Sequence, residues 1–254
     1  MNHLYVITAA GGNATAIRLL EKPLSRAEYE TRGRQLMSET ESLGAEQCGF
    51  LLPADHHLEM SGGEFCGNAS RAAAVLFSVL DNAERVHFTV SGFKGTVSGT
   101  VQPNGERGFL VECTFPGLPT TSNDVTVLEN QAATLVDLGG IVHVVIRAPF
   151  PEDPKEYQRQ HRSICRELKL EDRDAVGVIW IEEGNGSVTM HPVVWVKGID
   201  TFFYETSCGS GTIAVGKTTG VRSIIQPSRQ IINATISDGE VTLQSEMEIT
   251  HELP

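Results

Sequence analysis

A chain of 254 residues, 40% hydrophobic and 20% charged, holds enough apolar content for one large or two medium cores, which excludes a chain dominated by disorder. Its formal net charge of -12, without a basic cluster, argues against nucleic acid as a partner, since phosphate contacts need Lys and Arg. No apolar run approaches the roughly 18 residues of a membrane span, and Met1-Asn2-His3-Leu4 lacks the basic start of a signal peptide; no membrane is expected and a cytoplasmic location is the default.

Residues 4–7 alternate as a strand and lead into Ala9-Ala10-Gly11-Gly12-Asn13-Ala14, a glycine turn suited to bringing backbone close to a ligand. Ser25 starts a helix through about residue 42, with Glu28 placed for a capping box. Strands follow at 47–52 and 58–60. The second ends where the cassette Gly62-Gly63-Glu64-Phe65-Cys66-Gly67-Asn68-Ala69-Ser70 begins. From Ser70 to Leu80 nearly every residue is apolar, which in a soluble protein demands burial on most sides, as for a helix enclosed by a sheet.

Strands are expected at 86–90, 95–101 and 108–114, with Asn104-Gly105 a hairpin signal. The segment 115–124 has linker chemistry and divides the chain into 1–117 and 118–254. The second half repeats the order: strands at 133–138 and 142–146, a polar helix over 154–168, and strands at 175–181 and 187–195. The cassette Tyr204-Glu205-Thr206-Ser207-Cys208-Gly209-Ser210-Gly211-Thr212 then opens a second small-residue helix, and strands at 230–237 and 240–250 close the chain. The class is α+β, each half a mostly antiparallel sheet around one buried helix that starts at a cysteine.

The five cysteines, Cys48, Cys66, Cys113, Cys165 and Cys208, contain no CxxC pair, so a disulfide scaffold or structural zinc site is poorly supported. Cys66 and Cys208 stand out because each precedes a helix start, where unpaired backbone N–H groups favour a thiolate over a thiol of ordinary pKa about 8.5. Two such thiols facing one pocket supply a proton acceptor and a proton donor on opposite faces of a carbon. The helix N-termini could meanwhile hold a substrate carboxylate whose charge grows as the α-proton leaves. Cys48, Cys113 and Cys165 read as structural. His143, in an apolar strand, lines the pocket or belongs to the core. No His/Asp/Glu set has metal spacing, and Gly11-Gly12 completes no nucleotide motif. Competing readings are a hydrolase or isomerase with a single thiol nucleophile, and a binding protein that kept the cleft.

The cassettes resemble those of the cofactor-independent diaminopimelate epimerase superfamily: Cys66-Gly67-Asn68 with Arg71 is similar to its first motif, Glu205 with Ser207-Cys208-Gly209-Ser210-Gly211-Thr212 to its second, and Gly12-Asn13 to its N-terminal Gly-Asn. That resemblance implies a diaminopimelate epimerase-like fold of two pseudo-symmetric halves with the active site in the cleft between them. It also implies a two-base mechanism without cofactor or metal, a small amino-acid substrate and frequently a homodimer. It nominates Cys66 and Cys208 as catalytic, and Asn13, Glu46, Gly67, Asn68, Glu205, Thr206, Gly209 and Ser210 as substrate-binding. Thr206 stands where diaminopimelate epimerases usually carry an Arg for the distal carboxylate, and Gly139-Gly140-Ile141-Val142-His143 replaces their Asn-Pro-His segment. Glu46-Gln47, Met60-Ser61-Gly62 and Val142-His143 are closer to the histidine racemase branch. Histidine is the expected substrate. Another polar or basic amino acid, diaminopimelate, and proline or hydroxyproline are the alternatives.

Overall fold

The structure, a computed structural model, describes residues 3–184 and 186–254; Met1 and Asn2, where the leader reading begins, and Asn185 lie outside the described residues. The first half runs β1 (Leu4–Ala9), β2 (Gly12–Leu19), α1 (Arg26–Thr40), β3 (Ala45–Leu52), β4 (His57–Met60), α2 (Gly67–Asp81), β5 (Arg85–Val90), β6 (Val97–Pro103) and β7 (Gly108–Pro116). The second runs β8 (Thr121–Val127), β9 (Gln131–Asp137), β10 (Val142–Ile146), α3 (Pro154–Glu167), β11 (Ala175–Gly184), β12 (Ser187–Val196), β13 (Thr201–Tyr204), α4 (Gly209–Thr219), β14 (Ser223–Ile225), β15 (Ile231–Ser237) and β16 (Glu240–Leu253).

The two halves share one connectivity. Antiparallel β1/β2 corresponds to β9/β10, and the parallel pair β2/β3, crossed by α1, to β10/β11, crossed by α3. Antiparallel β3/β4 corresponds to β11/β12, and parallel β4/β5, crossed by α2, to β12/β14, crossed by α4. β13 is an addition, paired to β12. The halves join along antiparallel β7 and β16.

Beyond that seam the chain ends exchange. β16 continues along β1, from Met247 opposite Ala9 to Leu253 opposite Leu4, while the segment after β7 becomes β8 and pairs with β9. Strands β1 to β7 with β16 therefore close into a ring around α2. This is why α2 can be so apolar: every residue from Gly67 to Phe77 is buried. In α4, Gly209 through Gly216 are buried in the same way. α1 and α3 lie on the outer faces, α1 setting Tyr29 and Leu36 against Cys48 and Phe50, and α3 setting Ile164 and Cys165 among Val142, Val176 and Trp180.

The expected α+β class of sheet-wrapped central helices holds, and Glu28 makes the expected capping box with Ser25. Some boundaries differ. The turn expected over 9–14 is only Ala10-Gly11, both at positive φ as a two-residue hairpin requires, and Gly12 already begins β2. The expected linker is mostly strand, since β7 runs to Pro116 and β8 starts at Thr121. β8 ends the sheet as an exposed edge, so it lacks the apolar alternation that marks a strand in sequence.

Candidate active site

Cys66 and Cys208 are the N-caps of α2 and α4, both in extended backbone conformation, and each sulfur accepts an amide proton from its own first turn: Ala69 N–H at 3.4 Å and Gly211 N–H at 3.2 Å. The two helix starts abut. A Cβ added to Gly67 would lie 3.1 Å from both the Gly209 carbonyl carbon and the Ser210 nitrogen, so glycine at both positions lets the backbones meet. Asn68 ties the junction, its amide donating to the Ser207 carbonyl at 2.9 Å while the Ser207 hydroxyl donates to the Ala9 carbonyl at 2.6 Å. Gln226 holds the other side, accepting the Cys208 N–H at 2.9 Å and donating to Thr212 Oγ1.

The thiols have different neighbours. Cys66 is partly exposed and donates to Gln47 Oε1 at 3.0 Å, and Gln47 in turn donates to Thr15 Oγ1 at 2.7 Å. Cys208 is buried, 3.6 Å from the Ser210 hydroxyl, which lies 2.9 Å from His143 Nε2. Thr206 links three nominated residues: its hydroxyl donates to Glu46 Oε1 at 2.6 Å and accepts the Asn13 N–H at 2.7 Å, and its own N–H donates to Glu46 Oε2. The Asn13 backbone adopts φ 42°, and its buried side-chain amide lies beside Glu205 without a well-formed hydrogen bond. All ten nominated residues thus fall in one connected region spanning both halves. The loop at Gly62 packs on Val196, and Arg34 donates to the Gly198 carbonyl at 3.2 Å, further contacts between the halves.

The region is acidic and largely enclosed. Burial, with Glu46 and Glu64 adding to it, pushes Glu205 up to about 8, and burial pushes Glu64 to about 7 and raises Glu46. Burial, then the Glu205 carboxylate, pushes the Cys66 thiol up to about 12 and Cys208 well above the thiol range. The helix ends alone were expected to favour thiolate. In the closed pocket desolvation outweighs them, because two amide dipoles replace much less solvation than burial removes.

Sequence reasoning missed Gln47, Thr15, Glu64 and Gln226. Glu64 is signalled by its place inside the first cassette, whereas nothing near Gln226 in the chain marks it. His143 is fully buried and bonded to Ser210, so it joins the core and the site at once. Cys48 and Cys165 are buried away from this network, with Ser61 and His161 as polar neighbours, whereas Cys113 lies against α2 with its thiol toward the Ser70 carbonyl. Among the described residues no group of three His, Cys, Asp or Glu could hold a metal, and no helix is long and apolar enough to cross a membrane.

Residues 5–250 match the family model described as histidine racemase CntK N-terminal domain. A histidine racemase from Fusobacterium nucleatum subsp. nucleatum (strain ATCC 25586) is 31% identical over 229 residues, covering 86% of this chain and 83% of the relative. Among solved structures, a protein from Pseudomonas aeruginosa described as a predicted epimerase aligns with a TM-score of 0.66 at 13% identity, covering 100% of this chain and 98% of that one. A hydroxyproline epimerase from Agrobacterium vitis, with trans-4-hydroxy-L-proline bound, aligns at 0.61 and 12% identity, covering 99% and 90%. At these identities the structural likenesses speak for the fold.

Proposed function

The chain belongs to the histidine racemase CntK N-terminal domain family and is an amino-acid racemase; from that premise we propose that it interconverts L- and D-histidine by a two-thiol mechanism. The observation that carries the mechanism is the abutment of two cysteine-capped helix N-termini at Gly67 and Gly209. One substrate carboxylate held at the junction receives N–H groups from both helices, which stabilise it most as the α-carbon loses its proton. One sulfur removes that proton as thiolate. The other delivers its own from the opposite face, and the roles exchange for the other enantiomer.

Histidine suits the charge of the cleft. Glu46, Glu64 and Glu205 face the α-ammonium and the side chain, and Glu46, steadied by two bonds from Thr206, is free to accept an imidazole N–H. A second carboxylate, as in diaminopimelate, would meet Glu46 where the Thr206 hydroxyl is already engaged, and a buried anion without a partner is costly. An arriving ammonium also offsets the carboxylates that keep the thiols protonated, so substrate binding and formation of the thiolate are coupled.

The test is proton NMR in deuterium oxide with each L-amino acid, diaminopimelate and hydroxyproline. Exchange and inversion of histidine in preference to the rest is the expected result. Preferential turnover of another substrate overturns the histidine reading and leaves the two-thiol mechanism standing, while inversion that persists in both single cysteine variants overturns the mechanism.

A further inference from the structure

A buried guanidinium ordinarily pairs its charge with a carboxylate and uses its N–H donors, because an unpaired charge away from water is expensive. Arg71, on the second turn of α2, lacks the carboxylate and bonds through only one of its three nitrogens. It is fully buried, its Nη2 donates to Asn68 Oδ1, and Nε and Nη1 have no partner. Among the described residues no carboxylate lies within ion-pair distance of it.

Three cysteines lie within electrostatic reach of Arg71: Cys113 of β7, whose thiolate its charge favours, and the two N-cap residues Cys66 and Cys208. A Cβ on Gly209 would stand 3.1 Å from Nη2, so the guanidinium sits directly behind the junction of the two helix starts. Carboxylates act on the same thiols with the opposite sign: Glu205 on both and Glu64 on Cys66, with Glu46 acting on Glu205 and Glu112 on Cys113.

We infer that Arg71 is the common counter-cation of the two reacting thiols, a positioning residue that touches no substrate and stabilises whichever sulfur is ionised. This rests on the two-thiol reading above. In one turnover the α-carbon–hydrogen bond breaks as an S–H bond forms on one cysteine, and the S–H bond of the other breaks as the new carbon–hydrogen bond forms. The negative charge passes from one sulfur to the other with no oxidant or reductant. A single fixed cation at the junction of the two helix starts serves both directions without moving, and a carboxylate partner would cancel it, which gives its unpaired state a purpose.

The experiment is the rate of alkylation by iodoacetamide at pH 8, with Cys66 and Cys208 resolved by mass spectrometry, alongside racemisation kinetics; well below its midpoint a thiol reacts in proportion to its thiolate fraction. In Arg71→Met both rates fall at least ten-fold, and kcat falls at least 100-fold with KM changed less than five-fold. Arg71→Lys regains at least a tenth of the activity. Cys113→Asp, which offers Arg71 a carboxylate, lowers both rates while leaving Arg71 in place, so the inference is decided even where Arg71→Met does not fold. A Cys113→Ser control leaves the rates unchanged. Unchanged rates in folded Arg71→Met or Cys113→Asp overturn the inference. Rates that fall without loss of racemisation instead overturn the two-thiol reading, and so the two failures are told apart.

Discussion

Gly67 and Gly209, from opposite halves of the chain, meet backbone to backbone: a Cβ on Gly209 would lie 3.0 Å from the Gly67 carbonyl carbon and 2.9 Å from Asn68 Oδ1. Gly209→Ala therefore forces the two helix starts apart. The expected stability loss is about 1–3 kcal/mol, the usual cost of overpacking a filled core. Racemisation should fall far more than that loss explains, because the carboxylate cradle needs both N-termini. Thermal melting and steady-state kinetics on the same variant check this, and full activity would show that the junction tolerates spreading.

Cys66→Ala and Cys208→Ala should each lower racemisation by about 10²–10⁴-fold, the range for losing a general acid or base. Substrate-protected alkylation of the native protein should label both sulfurs more slowly with histidine present. Protection of only one would favour a single-nucleophile enzyme.

The carboxylates give stability a sign with pH. Glu205 and Glu64 are raised in the folded state to about 8 and about 7 from the ordinary carboxylate value of 4.5, so the stability they contribute is full below about 4.5 and is lost as pH rises through those folded values. His143 and His161 are lowered by burial to about 3 and about 4 from 6.5, so their contribution is present above 6.5 and lost as pH falls toward their folded values. The melting temperature should peak near pH 6 and decline toward pH 8. Glu205→Gln should flatten that decline; an unchanged alkaline slope would show that Glu205 is not the buried acid responsible.

Glu46→Gln keeps the shape and removes the charge next to Thr206. A hydrogen bond to a charged group is worth about 1.5–3 kcal/mol, so kcat/KM for histidine should fall at least about 10-fold. Any residual turnover of neutral amino acids should change less. Equal loss for all substrates would place Glu46 on the α-ammonium rather than the side chain.

Much of this was readable along the chain. The apolar, small-residue runs after Cys66 and Cys208 announced two enclosed helices, because a soluble protein can hide such helices only inside a sheet. The ten nominated residues meet around the two thiols because most lie in or beside the cassettes. Glu46 and Gln47 are harder to read. They reach the cleft through parallel pairing of β2 and β3, which sets Gln47 opposite Thr15 across an entire helix of intervening chain. β8 was illegible because an exposed edge carries no alternation, and β16 was legible as a strand but not in its pairing with β1, since an exchanged strand finds its partner in the other half.

What the sequence by itself determined is local: which residues start helices, which faces must be buried, and that a thiol stands at each of two helix ends. These follow from backbone preference and hydrophobic period, which act over a few residues. Only the tertiary structure decided that the two ends touch, that Ser207 reaches the Ala9 carbonyl, that the Glu205 and Glu64 carboxylates act on the thiols, and that Arg71 lies at the junction without a carboxylate. Those distances are set by closure of the sheet along β7 and β16, and the ionisation of each group follows from the burial that closure imposes.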